Sequence, residues 1–130
     1  MRSQKDDAKR AHADVRRLMM GKLVTVTVDR PLGSRHPKFP ALIYPVNYGF
    51  IQGVLAADGE EQDAYILGVE QPISAFTGRV IAIIYRKNDV EDKLVVAPDG
   101  MLFEKEEIRS LTAFQEQYFD IAIEMIAAKE

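Results

Sequence analysis

Four carboxylates fall within six consecutive residues: Asp58, Glu60, Glu61 and Asp63. Gly59 stands among them, and Asp-Gly is typical of a tight hairpin turn because Gly accepts a positive φ. Four like charges this close repel one another unless a cation lies between them. A divalent ion that prefers oxygen ligands, Mg²⁺ first and Mn²⁺ as the substitute, is the expected occupant. A solvated acidic turn without function fits the same spacing equally well.

The stretch before these acids, Tyr44 to Ile51, reads Tyr-Pro-Val-Asn-Tyr-Gly-Phe-Ile. It places the polar tips of Tyr44, Asn47 and Tyr48 among apolar neighbours. There each tip needs a hydrogen-bond partner, either in the protein or on a ligand. We expect residues 41–55 to form a strand pair or a bent strand that leads to the acidic turn.

Together the two stretches resemble the signature of the soluble family I inorganic pyrophosphatases. In that family a strand of the form Tyr-Pro-x-Asn-Tyr-Gly-[Phe/Tyr]-Ile precedes the motif Asp-Gly-Asp-x-x-Asp. Residues 44–51 match throughout, whereas Glu60 stands where the family has aspartate. The resemblance implies two catalytic residues, Glu60 and Asp63, which also bind metal together with Asp58. It also implies that Tyr44 and Tyr48 contact the substrate.

A strand and a turn upstream of this signature extend the resemblance. Residues 22–29 are rich in β-branched residues, which predicts a strand, and Pro31 and Gly33 predict a turn after it. In the pyrophosphatase pattern an acid ends the first strand and a lysine follows, and Asp29 and Lys38 occupy these positions without a gap. The resemblance therefore implies that Asp29 binds metal and Lys38 binds substrate. The alternative is that Asp29 caps a turn and Lys38 is solvated.

A second charged loop, residues 86–93, leads into another strand of matching form. The family has two metal-binding aspartates before a strand Lys-[Ile/Leu]-Val-x-Val-Pro, and residues 93–98 resemble that strand closely. Counting back without a gap places Glu91 on the second acid, while Asp89 could serve as the first only in a rearranged loop. The resemblance implies that Glu91 binds metal and that Lys93 contacts the substrate. A solvated turn of mixed charge is the alternative.

The sequence departs from the family pattern at three anchors for metal or phosphate. The family's first hairpin is absent together with its arginine, and Arg30 and Arg35 are the nearby residues that could supply this charge. The first acid of the second loop falls on Arg86. Further along, Tyr118 matches a substrate-binding tyrosine, but Phe119 replaces the lysine that follows it in the family.

Size, charge and cysteine content limit the class of protein. With 130 residues, of which 47% are hydrophobic, the chain fits one domain with a modest core. A net charge of -3 provides no general basic surface for nucleic acid or an anionic membrane. The lack of cysteine excludes disulfides and thiol catalysis. No apolar run approaches the roughly 18 residues of a membrane span, and the charged N-terminus lacks the apolar stretch of a secretory signal, so we expect a cytoplasmic protein.

The hydrophobic pattern predicts a mainly β (α+β) fold with a helix at each end. Apolar residues at helical spacing over 3–20 predict an N-terminal helix, and a longer stripe over 104–128 predicts a long C-terminal helix. The short strands between them favour an OB-like small closed β-barrel with both helices packed outside, since closure removes exposed edges. The resemblance implies the same barrel. We therefore expect an N-terminal helical extension over 1–21 and a pyrophosphatase-like barrel domain over 22–130.

The resemblance implies Mg²⁺-dependent hydrolysis of inorganic pyrophosphate to two phosphates by a metal-activated water, in a homo-oligomer. Glu60 would accept a proton from that water, and lysines and tyrosines would orient the leaving phosphate. Because phosphate anchors are missing, a degenerate relative that binds a phosphorylated ligand or hydrolyses another phosphoanhydride is an open alternative. An OB-type module that binds nucleic acid is a further alternative, but such binding requires a basic groove with aromatic side chains on which bases stack.

Overall fold

The computed structural model describes residues 17–56, 59–87, 89 and 91–126. The elements in these residues are β1 (Leu23–Arg30), β2 (Asn47–Leu55), β3 (Glu61–Ile66), β4 (Ala75–Arg86), β5 (Asp92–Ala97), α1 (Lys105–Glu116) and β6 (Ile121–Met125). Residues 41–46 are irregular apart from one isolated bridge between Ile43 and Arg35. Strands make up most of the regular structure, which confirms the predicted mainly β fold.

Strands β1 to β5 close into a ring. The neighbours run in the order β1-β2-β3-β5-β4, and β4 then pairs with β1. These pairings are antiparallel except for that of β3 with β5, which is parallel. The ring confirms the predicted small closed β-barrel, in which closure leaves few unpaired edges.

Strand β4 is 12 residues long and pairs with three other strands. One of its edges pairs with β5 over Arg79–Tyr85. The other edge is shared, because Ala75–Arg79 pairs with β1 and Ala82–Arg86 pairs with β6. Strand β6 therefore provides hydrogen-bond partners for the part of β4 that β1 does not reach.

The prediction of one long C-terminal helix over 104–128 is wrong in its second half. Helix α1 ends at Glu116, and a short turn leads into β6. Ile121 and Ile123 are β-branched and stand at alternate positions, which favours a strand. The apolar residues over 121–125 fit both helical spacing and strand alternation. Pairing with the open edge of β4 favours the strand.

The strands carry apolar side chains on both faces, in two buried clusters. Alternation along β3 places Tyr65 in one cluster and Ala64 and Ile66 in the other. The cluster with Tyr65 also contains Ile108 of α1, so the helix covers this face of the barrel wall. Asp63 precedes Tyr65 by two positions and therefore shares the helix-covered face.

Two glycines between β1 and β3 meet specific demands of the backbone. A Cβ on Gly49 would lie 1.9 Å from the carbonyl oxygen of Thr27, so β1 and β2 approach too closely there for any side chain. Gly59 has a φ of 88° in the turn between β2 and β3, where its N–H donates to the carbonyl oxygen of Ala56. The turn predicted around Gly59 is confirmed.

The predicted N-terminal helix lies largely outside the described residues, which begin at Arg17. The described part contacts the barrel: Arg17 pairs with Glu124 at 3.2 Å, and the N–H of Gly21 donates to the carbonyl oxygen of Val80 at 2.8 Å. The division into an extension and a barrel domain stays a prediction. Among the described residues, we find no helix with the length and apolar character needed to cross a lipid bilayer.

Candidate active site

Each strand of the ring contributes one side chain to a cleft of about 780 Å³ next to the end of α1. These side chains are Arg30 of β1, Tyr48 of β2, Asp63 of β3, Lys93 of β5 and Arg86 of β4. The strand register explains why they meet. Arg30 lies opposite Tyr48 in the pairing of β1 with β2, and the parallel pairing of β3 with β5 sets Asp63 beside Lys93.

Two predicted metal ligands from distant parts of the chain, Asp63 and Glu91, meet at the ammonium group of Lys93. The Nζ atom of Lys93 lies 2.8 Å from Asp63 Oδ2 and 2.9 Å from Glu91 Oε2. Only 3% of the Lys93 side chain is exposed, against 34% for Asp63 and 36% for Glu91. Tyr48 donates a hydrogen bond of 2.6 Å to Asp63 Oδ2. Burial, together with the charge of Asp63, raises the pKa of Tyr48 well above its ordinary value, so the hydroxyl group keeps its proton.

A smaller cavity of about 190 Å³ adjoins the same carboxylates. Its acidic lining residues are Glu60, Glu61, Asp63, Glu91 and Asp92. Carboxylate oxygens are the donors that Mg²⁺ and Mn²⁺ prefer, and Asp63 and Glu91 already approach a common point at Lys93. Within the described ranges, no group of three or more acids or histidines is arranged to hold a metal ion by itself. Asp63 and Glu91 could supply two carboxylate ligands to a hard divalent ion, with water or substrate providing the rest of its coordination.

The two other predicted metal ligands are Asp58 and Asp29. Asp58 is outside the described residues. Asp29 stands at an irregularity in the pairing of β1 with β2 and lines neither of the two cavities. Partial burial raises the pKa of Asp29, Arg30 opposes this increase, and the charge of Asp63 adds to it. The charge of Asp63 thus acts on Asp29, although Asp29 does not line the cleft.

Arg86, at the end of β4, is held in the cleft wall by Glu116 of α1. Its Nε and Nη2 atoms lie 2.9 and 2.7 Å from the two carboxylate oxygens of Glu116, a bidentate geometry. Only 4% of the Arg86 side chain and 1% of the Glu116 side chain are exposed. The Nη1 atom also approaches Asp89 at 3.5 Å and Glu91 at 3.4 Å. Burial alone would lower the pKa of Arg86, but the hydrogen bonds and charge of Glu116 outweigh it, so this pKa is raised.

Two residues that depart from the family pattern, Arg86 and Phe119, contact each other. Arg86 stands where an acid is expected, and Phe119 stands where a lysine is expected. The guanidinium group of Arg86 lies over the ring of Phe119, with 3.7 Å from its carbon to the ring centroid. A positive charge therefore lines the cleft next to Phe119 although the lysine is absent.

Arg30 supplies another positive charge to the cleft. Its Nη1 atom donates to the hydroxyl group of Tyr44, and its guanidinium carbon lies 5.5 Å from the centroid of the Tyr48 ring. The Tyr44 hydroxyl group in turn donates to Gln115 Oε1 at 3.0 Å. Arg35 bonds to a backbone carbonyl group and does not line the cleft. Of Arg30 and Arg35, Arg30 therefore lines the cleft and can contact a ligand there.

The structure brings together most of the residues predicted for the site. Those that line the cleft are Lys38, Tyr48, Asp63, Glu91, Lys93 and Tyr118. Glu60 lines the smaller cavity. Tyr44, for which a substrate contact was predicted, is fully buried, lines neither cavity and supports Arg30 instead. The Asn47 amide bonds to backbone groups of two neighbouring loops.

Sequence reasoning missed Arg86 and Glu116 as parts of the site, although each carries a signal. Arg86 follows Ile84 by two positions at the end of an apolar strand, so both side chains point towards the same face. Glu116 ends α1, where a negative charge is unfavourable to the helix dipole. An acid in that position indicates a cationic partner elsewhere.

The loop between β1 and β2 forms the outer wall of the cleft. An isolated antiparallel bridge closes it at residues 35 and 43. Within it, His36 Nδ1 accepts hydrogen bonds from the backbone N–H groups of Lys38 at 3.0 Å and Phe39 at 3.3 Å. Partial burial, then the charges of Arg30 and Lys38, lower the pKa of His36. This shift favours the neutral ring that the two hydrogen bonds require.

Comparison with known proteins assigns the chain to a family. The sequence model of the family described as inorganic pyrophosphatase matches residues 13–124. The chain belongs to the inorganic pyrophosphatase family. The match confirms the resemblance carried by residues 44–51 and extends it over the barrel.

Individual members of the family show how much of the chain is shared. The inorganic pyrophosphatase of Campylobacter jejuni is 33% identical over 82 residues, which are 59% of this chain and 44% of that protein. That of Sulfolobus acidocaldarius is 37% identical over 75 residues, 55% of this chain and 40% of that protein. The chain thus spans less than half the length of these relatives. The crystal structure of inorganic pyrophosphatase from Ehrlichia chaffeensis matches with a TM-score of 0.64 and 16% identity, over 82% of this chain and 88% of that one, which shows a common fold.

Proposed function

We propose that this family member hydrolyses inorganic pyrophosphate to two phosphates with the help of divalent ions. One observation carries the proposal. Asp63 and Glu91, acids from separate parts of the chain, meet at the buried Lys93 on the edge of the cleft. Carboxylates that bind metal beside cations that bind phosphate are what phosphoryl transfer requires, because this chemistry depends on positioning and charge stabilisation. Membership of the family supports the same activity.

The charged side chains that line the cleft suit a highly charged ligand. Its basic side chains are Arg30, Lys38, Arg86 and Lys93, and its acidic side chains are Asp63 and Glu91. A guanidinium group can bind two phosphate oxygens at once. Glu116 already bonds to Nε and Nη2 of Arg86 and fixes its guanidinium, so less conformational entropy is lost when a phosphate binds on the Nη1 side. Arg30 and Arg86 are therefore proposed to replace the two family anchors that this sequence lacks.

Mg²⁺, or Mn²⁺ in its place, would be held by Asp63, Glu91 and Glu60, with Asp58 and Asp29 as further ligands implied by the resemblance. Such an ion, when bound, neutralises phosphoryl oxygens and lowers the pKa of a coordinated water. The Lys93 ammonium already offsets part of the carboxylate charge. We therefore expect weak ion binding to the protein alone and stronger binding when substrate oxygens complete the ligand set.

Side chains of the cleft and of the smaller cavity next to it act on the water and on the substrate. Glu60 accepts the proton of the attacking water as the water oxygen bonds to one phosphorus, and the bond from that phosphorus to the bridging oxygen breaks, so that the bridging oxygen leaves on the second phosphate. Asp63, fixed by Lys93, keeps the acidic cluster beside the reacting group. Lys93, Lys38 and Tyr118 orient the leaving phosphate and offset the charge that develops on it.

Phosphate release from pyrophosphate tests this proposal. Purified protein should release phosphate in the presence of Mg²⁺ and should stop after chelation with EDTA. Asp63→Asn keeps the shape of the side chain and removes its charge, and we expect the rate to fall by about 100-fold or more. Asp99→Asn is the matched control, because Asp99 pairs with Arg79 outside the cleft. Equal rates for Asp63→Asn and the control would refute the proposed site.

A second candidate function is the binding of a phosphorylated ligand without efficient turnover. It is favoured by Arg86, a cleft residue that stands where the family pattern has an acid. In that case calorimetry would detect tight binding of pyrophosphate while no phosphate is released. Assembly into a homo-oligomer and a cytoplasmic location stay predictions from the sequence.

A further inference from the structure

The cleft has a second wall that bare pyrophosphate does not need. Its apolar lining residues are Pro37, Phe39, Ala41, Leu42 and Phe119. Pyrophosphate presents oxygen atoms on all sides, so the strand side chains and Lys38 can bind it without this wall. Apolar walls with a few well-placed polar groups are typical of sites for organic molecules.

Two aromatic rings that line this cleft are exposed to solvent. The exposed fraction is 63% for Phe39 and 69% for Tyr118. Phe39 is nevertheless fixed by its backbone: its N–H donates to His36 Nδ1 at 3.3 Å, and its carbonyl oxygen accepts from the N–H of Leu42 at 2.8 Å. Because the backbone of Phe39 is already fixed, less conformational entropy is lost when a ligand binds against its ring. Apolar side chains that line a groove together with polar groups are typical of a ligand-binding site.

The size of the cleft agrees with its chemistry. Its volume of about 780 Å³ falls within the roughly 300–1,000 Å³ of pockets that enclose organic ligands. Arg30, Arg86 and Lys93 lie on the strand side, whereas the loop before β2 carries most of the apolar residues together with Lys38. The cleft thus has one end suited to a diphosphate and another suited to an aromatic group.

We infer that the site accepts organic diphosphates in which one phosphate carries an aromatic group, as in a nucleoside diphosphate. The inference rests on the proposed hydrolysis of a phosphoanhydride at the same cations. The diphosphate would lie against Arg30, Arg86 and Lys93, and the aromatic group would stack on Phe39.

The reaction would be the same phosphoanhydride hydrolysis with a different leaving group. The oxygen of a water molecule bonds to the terminal phosphorus, and the bond from that phosphorus to the bridging oxygen breaks. The bridging oxygen leaves on the nucleoside monophosphate. The products are the monophosphate, inorganic phosphate and one proton.

Three substrates that differ at one end separate this inference from the proposed function. Phosphate release with Mg²⁺ is measured from pyrophosphate, methyl diphosphate and ADP. Methyl diphosphate is an ester like ADP but lacks the aromatic group. We expect kcat/KM for ADP to exceed that for methyl diphosphate by about tenfold, because a stacked base adds binding energy that a methyl group cannot provide.

Variants at Phe39 test the proposed contact. Phe39→Ala should lower the ratio of kcat/KM for ADP to that for methyl diphosphate by about tenfold, because it removes the ring on which the base stacks. Phe39→Tyr keeps the ring and should keep the ratio. Leu102→Ala is the matched control, since it removes another exposed apolar side chain that does not line the cleft.

The outcomes distinguish the inference from the function on which it rests. Hydrolysis of pyrophosphate and methyl diphosphate without a preference for ADP would overturn the inference alone. No release from any of the three would refute the proposed hydrolysis, and calorimetry would then decide the ligand class. Tighter binding of ADP than of methyl diphosphate, lost in Phe39→Ala, supports the inference, whereas equal binding overturns it.

Discussion

The buried ion pair between Arg86 and Glu116 can be probed with Glu116→Gln. This change keeps the size of the side chain and one carbonyl oxygen but removes the charge that faces Arg86 at 2.7 Å. Both side chains are almost completely buried, so water cannot replace the lost charge. The guanidinium would then depend on Asp89 and Glu91 at 3.5 and 3.4 Å. The Tyr65 hydroxyl group, which donates to Glu116 at 2.6 Å, would lose its charged acceptor.

The size of the effect follows from this burial. Removing one partner of a buried ion pair costs roughly 3–5 kcal/mol, because the other charge stays buried without its counter-ion. Since two further carboxylates offset part of the loss, we expect the free energy of unfolding to fall by about 3 kcal/mol. With a urea m-value of roughly 1–3 kcal/mol/M, the unfolding midpoint would move down by about 1 M or more.

Urea unfolding followed by circular dichroism measures this change. Glu106→Gln is the matched control, because Glu106 lies on the exposed side of the same helix and pairs with Arg109 at 3.7 Å. We expect the control to change the free energy of unfolding by less than about 0.5 kcal/mol. A loss below about 1 kcal/mol in Glu116→Gln would contradict the role of Glu116 in holding Arg86 in the cleft wall.

A double replacement, Arg86→Met with Glu116→Leu, separates stability from function. Replacing both members of a buried pair with apolar residues is often neutral, so this variant should recover most of the stability lost in Glu116→Gln. It also removes a cation from the cleft wall, and phosphate release should stay at least about tenfold lower than in the unmodified protein. Recovery of both properties would assign Arg86 to packing alone.

Two further predictions concern the backbone around the cleft. Gly49→Ala should lower the free energy of unfolding by about 3 kcal/mol or more, measured in urea, because its Cβ would collide with the carbonyl oxygen of Thr27; unchanged stability would contradict the close approach of β1 and β2. The pKa of His36 is lowered in the folded protein, so its contribution to stability should be complete above the ordinary value of about 6.5 and be lost as the pH falls below it. Comparing urea unfolding of the unmodified protein and His36→Asn from about pH 7.5 to 5 tests this sign, and identical pH dependence in both would contradict it.

The barrel could be predicted because its strands carry local signals. The β-branched residues over 22–29 and the apolar run over 79–85 form parts of β1 and β4. The turn at Gly59 needs a positive φ that the sequence makes visible. Strand β6 has no comparable local signal, because its residues fit helical spacing as well as alternation. Its structure depends on the free edge of β4, which no local pattern reveals.

The site could be predicted only where a motif is local. Asp63 and Lys93 stand in recognisable stretches, and the parallel pairing of β3 with β5 brings them together. The role of Arg86 depends on Glu116, a partner 30 residues away that the packing of α1 supplies. The position of Phe39 depends on the shape of the loop before β2. Contacts of this kind arise from tertiary structure, so residue types and spacing cannot specify them.

The shared edge of β4 has a consequence for biosynthesis. The ribosome completes β1 to β5 before it makes β6. The backbone groups of Ala82–Arg86 on that edge therefore lack their β6 hydrogen-bond partners until Met125 has emerged. An uncovered strand edge is a template for pairing with another chain. We therefore expect nascent chains, and fragments cleaved between α1 and β6, to need chaperones more than the finished protein does.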